Sequence, residues 1–404
     1  MSHVQDERAR GWAIVAILFL SMGSTIGAAQ YSFGLFVPPL EEAFSWSRTQ
    51  ISASLSFVAV GSLVAPLLGR LMDRVGARPV LVFSLLLTAV SFFIRPLMTE
   101  LWHWYALSFV QFIAFAGSTM LPTGRLVAIW FGDRRGRVMG IASSGPNFGG
   151  LVLPVMVASL LVTRDWQAAY VALGCVLSVL AIAAWFIIRE QPLRSTKPVH
   201  NGRDQAMLDP TKGATVREAL HCKAFYSVTL ATVAAMFTYS TVLPHVIVHM
   251  TNEGLSAQHA AFVLGTMAMF GMGGKIAFGY LSERITARNA FVVDLIGQTV
   301  FVVLVASVAP RGFIWLVPLY GFFLGGTGVL APLIIQEYFG LKHFGAISGL
   351  SSMATVVSFG VGPIVAGLSF DWTGSYTASF IAVAVLFALG AGLLMMTRPA
   401  ALRT

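Results

Sequence analysis

The sequence predicts an all-α integral membrane protein: twelve transmembrane helices in two pseudo-symmetric six-helix halves. Three observations carry that expectation. The 404 residues are 56% hydrophobic and only 11% charged, with a mean hydropathy of +0.78, whereas soluble domains carry roughly 25% charge. Twelve apolar runs reach the length of about 20 residues that a helix needs to cross a bilayer. Finally, GRLMDRVGAR at 69–78 returns as GYLSERITAR at 279–288, 210 positions later, and such an echo is the mark of an internal repeat.

The runs fall near 12–38, 49–71, 79–98, 102–131, 136–162 and 167–188, and again near 224–250, 257–281, 289–309, 313–338, 344–370 and 376–397. They must be helical because the bilayer core leaves backbone groups no water to bond. The first run is too long for a signal-peptide core and has no small-residue cleavage site, so it reads as a retained helix. The repeat keeps its order along the chain: Trp130-Phe131-Gly132 is answered by Tyr338-Phe339-Gly340, Pro154 by Pro363, and Asp165-Trp166 with Tyr170 by Asp371-Trp372 with Tyr376. The expected organisation is a bundle over 1–190, a cytoplasmic linker over 191–223 and a second bundle over 224–404. The linker holds Pro192, Pro198, Pro210 and a scatter of basic residues suited to anionic lipid.

Charge sets the expected orientation. With both termini cytoplasmic, 20 of the 26 Lys and Arg residues lie on that side. Arg48, Arg95, Arg164 and Arg311 fall opposite, and Arg125 and Lys275 lie inside spans. The positive-inside rule then places the chain in a bacterial inner membrane or a plasma membrane. The formal charge of +9 is spread over short loops rather than one face, which points to lipid and away from nucleic acid. Cys175 and Cys222 make no disulfide framework or zinc site. With no nucleophile-base pair, phosphate loop or metal cluster in view, the reading is of a protein that is not an enzyme and needs no cofactor; a monomer is expected.

In the first span, Gly23 and Gly27 form a small-xxx-small pair that admits another helix. Gln30 and Tyr31 either face a cavity or bond a neighbouring helix. In the repeated loop, Asp73, Arg74 and Arg78 are expected to pair with helix ends or with the other half, as are Glu283 and Arg284 in its copy. Arg125, about six residues from a helix end, either snorkels to the surface or contacts substrate. The stretch DRRGRVMGIASSGPNFGG, 133–150, reads as a tightly packing helix, or a hinge. His245 and His249 share a helical face near the predicted outer mouth; they lack a third metal ligand at motif spacing, and they titrate where a proton carrier would.

Lys275 stands out in GMGGKIAFG, 271–279. Three glycines precede it, leaving room for a ligand or a partner helix. No acid lies one turn away, since 271 is Gly and 278 and 279 are Phe and Gly. A buried cation needs a counter-charge, supplied either by a substrate carboxylate or by a structural pair with Asp294.

Twelve helices with GRLMDRVGAR between the second and third resemble the major facilitator superfamily. Over nearly its whole length the chain is similar to the monocarboxylate transporter and oxalate-formate porter branch. The resemblance rests on QYSFGLFVPPL (30–40) with SWSRTQIS (45–52), WFGDRRGRVMGIASSGPNFGG (130–150), VREAL (216–220), GKIAFGYLSER (274–284) and FGVGPIVAG with GSY (359–367, 374–376). It implies a secondary active transporter of small organic anions of the lactate or pyruvate kind, coupled to protons by symport and working by alternating access, with the repeated loops closing the inner gate. It also implies a carboxylate contact at Lys275, where the branch more often has Arg. The animal carriers have an acid one turn before this base, where the chain has Gly271. A proton would therefore have to use Asp294, Glu337, a histidine or the substrate itself. Oxalate porters have a further lysine in the eleventh helix, which SGLSSMATVVSFG lacks. An anion exchanger of the oxalate-formate type stays open as an alternative, as does a proton-driven drug or solute exporter, because GPNFGG (145–150) matches the GPxxGG pattern of drug antiporters.

Overall fold

The computed structural model describes residues 2–46, 48–190 and 213–397. Most of the predicted linker, 191–212, lies outside the described residues. Eleven helices among those described are long and apolar enough to cross a membrane, and a bent pair supplies a twelfth span. In chain order they are α1 (Ala9–Tyr31), α2 (Ser54–Val75), α3 (Ala77–Leu97), α4 (Leu101–Ile113 with Phe115–Phe131), α5 (Arg135–Thr163) and α6 (Trp166–Ile187). Then follow α7 (Lys223–Asn252), α8 (Phe262–Ile285), α9 (Ala287–Ser307), α10 (Pro310–Phe339), α11 (Phe344–Phe370) and α12 (Thr377–Met396). The all-helical membrane class predicted by composition is the class observed.

The helices group into two compact units. One takes in Met1–Gly132, Ile141–His200 and Phe344–Leu350; the other takes in Asp133–Gly140, Asn201–His343 and Ser351–Thr404. The opening turns of α5 thus group with the second unit, and those of α11 with the first.

Glycine sets the closest contacts within each unit. In the first, Cβ atoms built on Gly23 and Gly149 would come 2.6 Å from the Gly145 carbonyl oxygen and 1.9 Å from the Gly23 carbonyl oxygen. The predicted small-xxx-small pair of α1 therefore meets the glycines of GPNFGG on α5, backbone against backbone. In the second unit, a Cβ built on Gly274 would lie 1.8 Å from the Phe322 carbonyl oxygen and one on Gly325 2.1 Å from that of Gly271. Much of the room beside Lys275 is filled by a partner helix, α10. Gly273, by contrast, has nothing within 4 Å of a built Cβ.

α4 bends by 47° at Ala114, where its two pieces meet, and a second irregularity follows at Thr119. Pro122 lacks an N–H and its ring crowds the carbonyl four residues earlier, at Ser118. That freed carbonyl accepts from the Ser21 hydroxyl of α1 at 2.8 Å. The Thr119 hydroxyl donates back to the Phe115 carbonyl at 2.7 Å. The carbonyl freed by the proline thus finds a side-chain partner, which a bilayer core requires.

Candidate functional site

The repeated loops show how the duplication is used. Each must reverse between two helices through a positive φ, and the two solve it differently: Gly76 sits at φ +94° and its counterpart Thr286 at φ +79°. Glycine takes that conformation freely, whereas a β-branched residue is strained there. Beyond each turn a helix begins with unsatisfied amides. The Ala77 amide donates to the carboxylate of Glu190, and the Ala287 amide donates to Glu337 at 2.6 Å.

The acid of each loop does a second job. In the first unit Asp73 accepts from the amides of Gly345 and Ala346, at 3.1 and 2.9 Å, at the start of α11. A carboxylate there meets the positive end of the helix dipole. In the second unit Glu283 accepts from the Arg137 amide at 2.8 Å and from its Nε at 2.7 Å, near the start of α5. The glycines repeat the pairing, with Gly69 against the Gly345 carbonyl at 1.9 Å and Gly136 against the Gly279 carbonyl at 2.0 Å for built Cβ atoms. Among the other loop bases, Arg74 is exposed. Arg78 lies 4.6 Å from the Trp185 ring, and Arg284 donates to the Tyr280 hydroxyl at 2.7 Å.

Arg125 joins this arrangement. Its Nη1 lies 3.2 Å from Asp73 and its Nε 3.6 Å from Glu190, and the residue is 8% exposed. Buried charge on α4 is thus set against two carboxylates of the loop region, one of which also caps α3. The snorkelling expectation is corrected: the guanidinium turns inward to these acids. Carboxylates placed far apart in sequence give no local signal of this triad.

Two π-helical turns stand at matching places, Gly27–Tyr31 in α1 and Thr238–Val242 in α7, 211 positions apart and so in register with the loop repeat. Such turns concentrate at functional sites. The first carries both Gln30 and Tyr31, which are exposed from protein, and the Tyr31 ring lies against Gly150. In the second, the Thr238 hydroxyl is hydrogen-bonded to Tyr320. No hydrophobic period announces a π-turn, so the sequence concealed both.

Lys275 is 9% exposed, on α8 beside α10. Asp294 on α9 is fully buried; its Oδ2 accepts from Gln298 at 2.9 Å and from Thr327 at 3.0 Å, while its Oδ1 has no hydrogen-bond partner. His245 donates from Nδ1 to the Thr241 carbonyl at 2.7 Å and lies against Tyr376. His249 is buried between Phe313 and Phe380, its Nε2 3.3 Å from the Val305 carbonyl. The two histidines therefore have separate partners.

A duplicated bundle of membrane-crossing helices, with buried polar side chains inside the spans and no soluble domain among the described residues, is the architecture of a multi-pass membrane transporter. The sequence profile of the Major Facilitator Superfamily matches residues 13–358. The chain belongs to that superfamily and is a transporter, not an enzyme. It is 25% identical over 393 residues to monocarboxylate transporter 13 of Bos taurus, covering 95% of this chain and 88% of the relative. With human monocarboxylate transporter 11 it shares 27% identity over 386 residues, 92% of this chain and 79% of that one. Among solved structures, the E. coli fucose:proton symporter superposes with a TM-score of 0.71 at 15% identity, over 94% and 97% of the two chains. The proton:xylose symporter gives 0.75 at 12% identity, over 96% of each. These structural likenesses bear on the fold.

Proposed function

We propose that the chain is a secondary active transporter of small monocarboxylates of the lactate or pyruvate kind, driven by proton symport through alternating access. The observation that carries the reading is Lys275, a cation buried in the spanning part of α8, at the position where the resembling branch has its carboxylate-binding base. The monocarboxylate transporters among the relatives support the substrate class. Gln30 and Tyr31 of the α1 π-turn are proposed to orient the substrate. Arg125 is assigned instead to the Asp73 and Glu190 network. The loops around Asp73, Arg74, Arg78, Glu283 and Arg284 act as the gate on the cytoplasmic side, where both termini also lie.

Among the proton candidates Asp294 is favoured over Glu337, His245 and His249. It is fully buried, and one carboxylate oxygen is unpartnered, whereas Glu337 caps α9 and both histidines bond backbone carbonyls. The exporter alternative rests on GPNFGG, whose Gly145 and Gly149 pack against α1; efflux of lipophilic cations without carboxylate uptake would favour it.

Uptake of labelled lactate or pyruvate into proteoliposomes, with and without an imposed pH gradient, tests the proposal. Loss of one hydrogen bond to a charged partner, about 1.5–3 kcal/mol, predicts uptake roughly 10- to 100-fold lower in Lys275→Gln. Undiminished uptake would remove Lys275 from the site, and uptake indifferent to the gradient would remove the proton.

A further inference from the structure

Arg95 reads from the sequence as a charge at the outer end of the third span. The structure buries it, with only 3% of its surface exposed. Its Nη2 donates to Gln111 Oε1 at 2.6 Å and to Ser108 Oγ at 3.3 Å, and its Nη1 to the Tyr170 hydroxyl at 3.1 Å. The guanidinium carbon stands 4.2 Å from the centre of the Trp104 ring and 4.8 Å from that of Tyr170. All of these partners are neutral, and no carboxylate among the described residues comes within 4.0 Å. A guanidinium stays protonated in proteins, so the charge is buried and uncompensated by any side chain, an arrangement that costs several kcal/mol when left so.

The surroundings are rich in donors and poor in acceptors. The Arg95 Nε has no hydrogen-bond partner. Tyr170 and Ser108 each accept from the guanidinium, so their own protons point elsewhere, and neither donates to another group among the described residues. Arg95, Ser108, Gln111 and Tyr170 all line one small void, and a polar void of this kind can hold an ion or a water.

From this convergence we propose that the first unit holds a small inorganic monoanion of the chloride class, bound by the Arg95 guanidinium and the hydroxyls of Tyr170 and Ser108. The ion supplies the missing negative charge and accepts the three idle protons. Aromatic rings on two sides limit its exchange. Lys275 and its cargo play no part in this site, so it stands or falls apart from the carboxylate reading.

The test is thermal unfolding of the purified full chain in detergent, titrated with sodium chloride or bromide against sodium gluconate at matched ionic strength. The expected result is a saturable rise in the unfolding temperature with either halide, absent with gluconate. Arg95→Gln should abolish the halide-specific rise. Tyr170→Phe keeps the ring and removes one donor, and should raise the half-saturating concentration about tenfold or more, the loss of one charged hydrogen bond. Should Arg95→Gln not fold, Tyr170→Phe and Ser108→Ala give the same readout. Equal stability in halide and gluconate, or a halide response untouched in Tyr170→Phe and Ser108→Ala, overturns the proposal. A response to formate with none to halide also overturns it, and assigns the cation to a carboxylate.

Discussion

Arg125 offers a sharp division between structure and cargo. Its guanidinium lies 3.2 Å from Asp73 with the two side chains only 10% and 7% exposed, and Glu190, 22% exposed, stands further off at 3.6 Å. Breaking a fully buried ion pair from one side costs about 3–5 kcal/mol. Because Asp73 keeps two backbone donors and Glu190 reaches solvent, Arg125→Gln should cost less, about 2–3 kcal/mol. Asp73→Asn should cost a similar amount, since it strips charge from two amides and leaves the guanidinium with Glu190 alone. If the residues act on each other, the double variant is less destabilised than the sum, by a coupling of about 1–2 kcal/mol. Unfolding titrations in mixed detergent and SDS measure all four corners. Single costs that add within about 0.5 kcal/mol would show no coupling. That result, joined with a half-saturation for carboxylate raised more than tenfold in Arg125→Gln, would return Arg125 to the substrate site.

Other substitutions probe the frame. Gly274→Ala should lower the yield of folded protein and cost about 1–3 kcal/mol, because the Phe322 carbonyl occupies the space of the new methyl; Gly273→Ala, one residue earlier with nothing within 4 Å, should be silent in the same expression and melting assay. Gly149→Ala should separate α1 from α5, read as loss of the monodisperse peak in size-exclusion chromatography. Thr286→Gly should stabilise the chain by about 1 kcal/mol: it relieves a β-branched residue at φ +79°, and it gives up only the weak 3.3 Å cap that the Thr286 hydroxyl accepts from the Asn289 amide. A fall in the unfolding temperature would mean that the cap outweighs the strain.

Much of the frame was legible because membrane insertion writes itself into local sequence. Runs of apolar residues, the doubled loop and the pair Gly23 and Gly27 each act within a few residues of themselves. The site was less so. Lys275 could be singled out by its chemistry, yet the glycines beside it turned out to be shared between the α10 backbone at Gly274 and open space at Gly273. Arg95 was placed at the outer end of the third span, with nothing in the local sequence to announce its burial. Its burial depends on Trp104 from α4 and Tyr170 from α6, which closed around it only in the folded chain. Likewise Glu190 and Glu337 reach the amides of Ala77 and Ala287 across 113 and 50 residues. Contacts at that range leave no period and no motif.

The duplication itself separates frame from chemistry. Positions that serve the backbone recur between the halves: Gly69 with Gly279, Asp73 with Glu283, Gly76 with Thr286, and one π-turn with the other. Each answers a need that both halves share, namely close helix approach, a capped helix start, or a change of helical pitch. The buried ionisable groups do not recur. At the loop offset of 210, Lys275 corresponds to Ala65, Asp294 to Ser84 and Arg95 to Val305. Arg125, opposite Ile335 at the same offset, also stands in one copy only, and the demand it meets is the Asp73 and Glu190 network. Charges present in one copy alone meet a demand that only one copy has. A small asymmetric ligand imposes such a demand, because a single carboxylate needs one cation and a single proton needs one acid. Exchanging Lys275 for Ala while introducing Lys at Ala65 should therefore leave the helices packed but fail to restore carboxylate uptake; recovered uptake would show that the site is symmetric and that this reasoning is mistaken.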